Sequence, residues 1–282
     1  MRIFFAGATG AIGRILLPLL LGEGHTVVAA TRGEQSAQRL RESGAEAVRL
    51  DIFDRAAVAE AMRAAAPDAV MHQLTALGDV NMADNARIRT EGTRSLVDAA
   101  LAAGVERIVA QSIAWAYAPG DTPADESVPL DPAAEGPRVT TVGAVNDLET
   151  AAAELPRHVV LRYGMLYGPG TWYTKDGLIA ARLRRGEIAA NAAVTSFLHV
   201  EDAARAAVQA LDWPSGTVNV VDDEPAEARI WVPVLAGMFG APAPEPTPGR
   251  LGWERGAGNE LASARGFKLG YPSWRDGFAG LR

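Results

Sequence analysis

Three glycines, Gly7, Gly10 and Gly13, stand three residues apart directly behind the apolar run "RIFFAG". Glycine lets a backbone turn sharply and approach a ligand closely, and a helix starting at the last of them presents unpaired N–H groups and a partial positive charge. Together these features suit a pyrophosphate, with Thr9, Ala11 and Ile12 in the same loop. A second position of chemical interest closes the run "TVVAAT". An acid there would accept bonds from ribose hydroxyls and repel a 2′-phosphate. Thr31 does not repel one, and Arg32 beside it suits a charge-assisted phosphate contact. The pair favours NADP(H) over NAD(H), the alternative being that Arg32 is a solvated loop charge.

These positions need a scaffold of alternating elements. "RIFFAG" (2–7), "TVVAAT" (26–31), "EAVRL" (46–50), "DAVMHQL" (68–74), "ERIVAQS" (106–112) and "HVVLR" (158–162) read as strands. They are almost continuously apolar, as strands covered on both faces should be. Helical patterns fill 11–22, 34–43, 54–66, 85–103 and about 140–154. Such alternation predicts right-handed βαβ units and an α/β, Rossmann-type doubly wound parallel sheet. Gly104 suits the end of the helix over 85–103, and Pro18 should kink the first helix. Beyond Arg162 the pattern loosens, with helices near 176–186, 201–212 and 228–239 and a returning strand "GTVNVV" at 216–221. "APAPEPTPGR" (241–250) reads as a stiff extended connector. The predicted organisation is a dinucleotide-binding domain over 1–164 plus 196–221 and a small substrate lobe over 165–195 plus 222–282.

Composition narrows the function classes. The 282 residues are 48% hydrophobic and 22% charged, ordinary for a soluble globular protein. A net charge of −7 argues against a nucleic-acid partner. No cysteine is present, which removes disulfides and thiolate chemistry, and the four histidines lack metal-ligand spacing. "ILLPLLLG" falls far short of the roughly 20 apolar residues that cross a bilayer. The N-terminal segment reads as a first strand rather than a signal peptide. The expectation is a cytoplasmic protein acting on a small molecule, with no membrane partner and no metal.

"GATGAIG" as it stands resembles the extended short-chain dehydrogenase/reductase family, the NAD(P)-dependent epimerase/dehydratase group. The likeness continues through "LDIFD", "VMHQLTA", "TEGTRSLVDAA", "RIVAQSIAWAY", "LRYGMLYGPG", "SFLHVEDAA" and "LGYPSWRDGF", in the family's order. The resemblance implies a cofactor across the carboxyl ends of the strands. It places Asp51 and Ile52 beside the adenine, and Leu74, Thr75 and Ala76 along the nucleotide. Ser112 falls at the family's catalytic serine. A homodimer through the helices at 85–103 and 137–154 is the family expectation.

The family's proton donor is a Tyr-x-x-x-Lys helix, in which the ammonium lowers the tyrosine pKa. Here "VGAVN" aligns with that motif, putting Val142 at the tyrosine and Asn146 at the lysine, with Gly143 and Glu149 anchoring the register. The family's helical asparagine is replaced by Arg89. Asn146 remains able to bond the cofactor ribose as a neutral partner. Tyr163 is the first candidate for a substitute acid, followed by Tyr117, Tyr173 and Lys175, each with a packing role as its alternative. His199 reads as a structural residue at a helix start. Trp115, Trp172 and Tyr173 suit either an apolar substrate wall or plain core.

Three functions fit this pattern. The first is an atypical NADP(H)-dependent oxidoreductase acting on a carbonyl, enone or quinone-like acceptor, with Ser112 polarising it. The second is a cofactor-binding sensor or scaffold without turnover. The third is a redox-neutral epimerase or dehydratase.

Overall fold

The computed structural model describes residues 1–76 and 81–281. Their elements alternate as the apolar runs require. The order begins β1 (Arg2–Ala6), α1 (Gly13–Gly22), β2 (Thr26–Thr31), α2 (Glu34–Glu42), β3 (Glu46–Arg49), α3 (Arg55–Ala65) and β4 (Ala69–His72). It continues with α4 (Met82–Arg87), α5 (Thr93–Ala102), β5 (Arg107–Ile113), α6 (Pro137–Ala152), β6 (Arg157–Tyr163), β7 (Met165–Tyr167), α7 (Leu178–Arg184), β8 (Val194–Thr195) and β9 (Phe197–His199). Last come α8 (Val200–Gln209), β10 (Gly216–Val220), β11 (Ala226–Glu227), α9 (Ala228–Met238), α10 (Glu260–Ala264) and α11 (Trp274–Ala279). A seven-stranded sheet has the order β10-β6-β5-β4-β1-β2-β3. β1 pairs in parallel with β2 and β4, and β2–β3 and β4–β5 are parallel as well. This is the Rossmann-like α/β fold expected from the alternation. The chain reverses its winding between β1 and β4, the switch point where open α/β sheets bind ligands.

The chain divides into two compact units, Met1–Ser112 with Glu135–Leu161 and Ala204–Thr217, and the remainder. In the first, Phe4, Val70, Ile108, Met62, Leu96 and Leu148 belong to one buried apolar cluster. In the second, β7 pairs in parallel with β9 and β8 antiparallel with β11. Aromatic rings fill its core. Phe197 meets Tyr167, Tyr173, Trp231 and Phe278 edge-on at 5.1–6.1 Å between centroids, a geometry that suits the ring quadrupoles. The prolyl stretch at 241–250 is not a bare connector, because Pro246 bridges to Ala190 and Thr247 N donates to the Ala190 carbonyl. Among the described residues, no helix is long and apolar enough to cross a membrane.

α10 and α11 form where no helix was expected, and α1 holds Pro18 within its span. Pro18 lies on its exposed side, where the carbonyl left without a helical donor can be hydrated. The helix expected over 85–103 instead starts at Asn81, whose side chain accepts from Asp84 N, and carries a π turn over Ile88–Gly92 between α4 and α5. Thr93 Oγ1 donates to the Ile88 carbonyl five residues back, filling part of the widened turn. Gly92 lies there against Ile52, where a Cβ would come within 3.5 Å.

Candidate functional site

The glycine loop follows β1 at the switch point. Gly7 has φ +108°, a conformation open to glycine, and a Cβ on it would lie 2.5 Å from the Gln73 carbonyl carbon behind β4. A Cβ on Gly13 would fall 2.1 Å from the Gly7 carbonyl oxygen. Gly10 N donates to that same oxygen at 3.1 Å, and Arg14 Nε donates to the Thr9 carbonyl at 2.9 Å, so the loop is held tightly. Ile12 caps α1 with no side-chain hydrogen bond and the first turn has no acid. Arg14 N and Ile15 N turn back onto the Gly10 and Ile12 carbonyls at 3.0 Å, while the positive end of the helix meets no acidic side chain in its first turn. A loop this close to backbone fits a pyrophosphate.

The other positions expected to meet the nucleotide also belong to the first unit. Thr31 is half-buried at the end of β2 and Arg32 is exposed. Arg49 stands opposite Thr31 in the β2–β3 register and reaches Glu34 at 3.0 Å, a nearby cation that sequence reasoning missed. Asp51 accepts from Phe53 N at 3.0 Å, and Ile52 is buried. Leu74, Thr75 and Ala76 are half-buried. Ala76 N donates to Oδ1 of the buried Asn85, which fixes the loop.

Ser112 is fully buried in β5 and donates its hydroxyl to Glu149 Oε1 at 2.7 Å. Glu149 lies on α6 at the end of a stripe formed with Val142 and Asn146, since spacings of four and three residues share one helix face. Val142 is buried, Asn146 exposed and Glu149 half-buried. Arg89, 4% exposed on the π turn, interacts electrostatically with Glu149. Burial pushes its guanidinium down to about 10, which leaves it cationic near neutral pH, and Glu149 opposes that shift. The stripe at spacings four and three was readable in the sequence; the Ser112 contact, 37 residues distant in the chain, was not.

His72, at the end of β4, was not singled out from sequence. Its Nε2 meets Thr93 Oγ1 at 2.9 Å, and its Nδ1 accepts from Leu74 N at 3.4 Å. Because Thr93 donates to Ile88, these contacts close with Nε2 carrying the proton. Burial, with Arg89 second, brings His72 down to about 4, so the ring is neutral.

The candidate substitute acids belong to the second unit, where the phenols of Tyr163 and Tyr117 have acceptors. Tyr163, 1% exposed, donates to the Ala203 carbonyl at 3.2 Å. Tyr117 donates to Asn219 Oδ1 at 2.5 Å, and burial pushes it up to about 12. Tyr173 is a buried core ring whose phenol burial also raises. Trp172 packs against the same core, Trp115 is half-buried, and Lys175 is exposed. His199 closes β9, accepts from Glu201 N at 3.3 Å and stacks on Tyr271 at 3.7 Å between centroids.

A parallel sheet with a glycine loop at its switch point defines a dinucleotide-binding α/β enzyme. The chain belongs to the NAD dependent epimerase/dehydratase family, whose model matches residues 3–221. It is 46% identical to a 3-diazoavenalumate denitrifying reductase from Streptomyces sp., over 98% of this chain and 99% of that protein. The UDP-glucose 4-epimerase of Thermotoga maritima, solved with UDP-glucose, superposes with a TM-score of 0.76 at 21% identity, over 99% of this chain and 96% of that one. WbmG of Bordetella bronchiseptica, solved with NAD and UDP, gives 0.75 at 21% identity, over 100% and 93%. The protein is an enzyme of the NAD(P)-dependent oxidoreductase/epimerase class.

Proposed function

We propose that the protein is an NADPH-dependent reductase that replaces the diazo group of a small organic carboxylate with hydrogen, releasing N2. The observation that carries this reading is the α6 stripe, where Val142 and Asn146, at the positions that align with the family's acid and lysine, offer no side chain able to supply a proton. Hydride addition to a ketone generates an alkoxide that requires a proton, normally from a positioned acid. A diazonium carbon makes no such demand. One C–H bond forms, the C–N bond breaks, and its electron pair leaves on N2. Charge balances as the cation R–N2⁺ and a hydride become R–H and N2, with no proton transferred. The Streptomyces relative is named for reductive denitrification of a diazo compound, which supplies the substrate class.

The bound nicotinamide would supply the hydride. Gly7, Thr9, Gly10, Ala11, Ile12 and Gly13 would cradle its pyrophosphate. Asp51 and Ile52 would flank the adenine, Leu74, Thr75 and Ala76 would line the nucleotide, and Asn146 would meet the ribose. Thr31 leaves room for a 2′-phosphate and Arg32 would bind it, which favours NADPH over NADH. In this reading the Tyr163 phenol stays with Ala203 and donates no proton to substrate.

The test is rapid mixing of enzyme and NADPH with an aryl diazo carboxylate, following cofactor oxidation and N2 together. Stoichiometric N2 with NADPH consumed supports the reading. Oxidation by simple ketones with none by diazo acceptors would overturn it. Arg32→Ala should weaken NADPH by about tenfold or more, as loss of a charge-assisted contact implies, and leave NADH unchanged.

A further inference from the structure

Glu34 is the acid closest in sequence to the end of β2, three residues beyond Thr31. A free carboxylate there would do what Thr31 does not, accepting from ribose hydroxyls and repelling a 2′-phosphate. Both of its oxygens are taken. Arg41 reaches Oε1 at 3.2 Å from about two turns further along α2, and Arg49 reaches Oε2 at 3.0 Å from β3. Arg41 first, and Arg49 with it, holds this exposed carboxyl below the usual carboxylate range.

The sheet places Arg49 as well. It is the register partner of Thr31 in the parallel β2–β3 pair, and just beyond it Leu50 N donates to the Thr31 carbonyl at 3.0 Å. Paired positions on neighbouring strands share a sheet face, so Arg49 and Thr31 stand side by side. Glu34 draws the Arg49 guanidinium to the first residue of α2. Arg32 adds a further cation from the short loop between β2 and α2. The other acid here, Asp51, turns to Phe53 N at 3.0 Å. Arg32, Arg41 and Arg49 against Glu34 and Asp51 leave this corner of the first unit positive.

An ion pair between exposed side chains is weak and readily exchanged. A phosphate is a stronger partner for arginine, because the planar guanidinium meets two of its oxygens at once.

We propose that Arg49 is a second cation for the 2′-phosphate of NADPH, presented from β3 and held by Glu34 until the phosphate displaces it. This role rests on the NADPH reading above and adds to it a residue on a different strand from Arg32. Glu34 is then a positioning residue for Arg49 and not a ribose ligand.

The test is calorimetric titration of the protein with adenosine 2′,5′-bisphosphate and with 5′-AMP, which differ by the 2′-phosphate alone. The wild type should bind the bisphosphate at least about tenfold more tightly. Arg49→Gln should cut that ratio by about fivefold or more, and Arg49→Lys, which keeps the charge without the fork, should retain part of it. Glu34→Gln removes the competing anion and should tighten the bisphosphate by about threefold. Arg41→Gln takes a cation from the other side of Glu34 and should change the ratio by less than about twofold. Equal losses in Arg49→Gln and Arg41→Gln would show general charge in place of a contact and overturn the proposal. An unchanged ratio in Arg49→Gln, or no gain in Glu34→Gln, would overturn it too. Arg32→Ala is measured beside them. A wild-type ratio that Arg32→Ala lowers and Arg49→Gln does not would leave the NADPH reading standing without Arg49; a wild-type ratio near one would remove both.

Discussion

Ser112 and Glu149 lie 37 residues apart in sequence and are joined by a 2.7 Å hydrogen bond from the end of β5 to α6. A neutral donor on a carboxylate is among the stronger protein hydrogen bonds, and here its donor is wholly buried. Ser112→Ala should therefore cost about 1.5–3 kcal/mol in urea unfolding.

The glycine loop has no room to spare. Gly13→Ala would drive a Cβ into backbone atoms of Gly7 and Ala8 at 2.1–2.7 Å, so the loop must shift. Nucleotide affinity should fall by at least about tenfold, with a stability cost of about 1–3 kcal/mol from overpacking. Gly22→Ala, at the other end of α1 where nothing lies within 4 Å, is the control. It should bind nucleotide as the wild type does and melt no lower, since alanine is the better helix former.

His72 sets an acid limit on the fold. Its folded value of about 4 lies below the ordinary 6.5, so the unfolded chain gains a proton in a range where the folded chain does not. Stability is constant on this account above about 6.5 and declines as pH falls towards 4, by about 3 kcal/mol over the window. His72→Gln should flatten that limb in denaturant titrations from pH 7 to 4. An unchanged limb would show that other groups carry the acid sensitivity.

Asp222 acts in the opposite direction. It is buried in the second unit, accepts from Trp274 N through Oδ2 at 2.8 Å, and burial raises it to about 8. An unfolded aspartate releases its proton near 3.8 and the folded one holds it, so stability falls as pH rises from about 4 to 8. Asp222→Asn keeps the size without the charge and should gain relative to wild type as pH rises through that range. Melting temperatures at pH 5 and 8 measure the difference.

The scaffold was largely legible because buried parallel strands must be continuously apolar. β2 was read at Thr26–Thr31, and the other sheet strands had ends displaced by one or two residues. Element ends depend on caps and on pairing partners, which a local run does not encode. The π turn was invisible for a related reason. Residues 85–103 keep helical periodicity throughout, and the Thr93 bond to Ile88, five residues back, leaves no mark in that periodicity. In the candidate site, the loop glycines were legible from spacing, and Val142 and Asn146 from alignment. The partners of Ser112, Tyr163 and Tyr117 were not, because each hydroxyl finds its acceptor on an element far away in sequence.

The π turn at Ile88–Gly92 makes chain length, rather than residue type, the variable that sets where a charge lies. Such a turn holds one residue more than the helix around it needs. Removing one residue there would close the widened turn into ordinary helix, while α4 and α5 keep their bearings. Arg89 would move off its present bearing with the sequence on either side intact. Insertions and deletions are normally tolerated in loops, where little is buried. In this helix a single-residue gap would uncouple Arg89 from Glu149, a route to altered chemistry that no scan of substitutions samples.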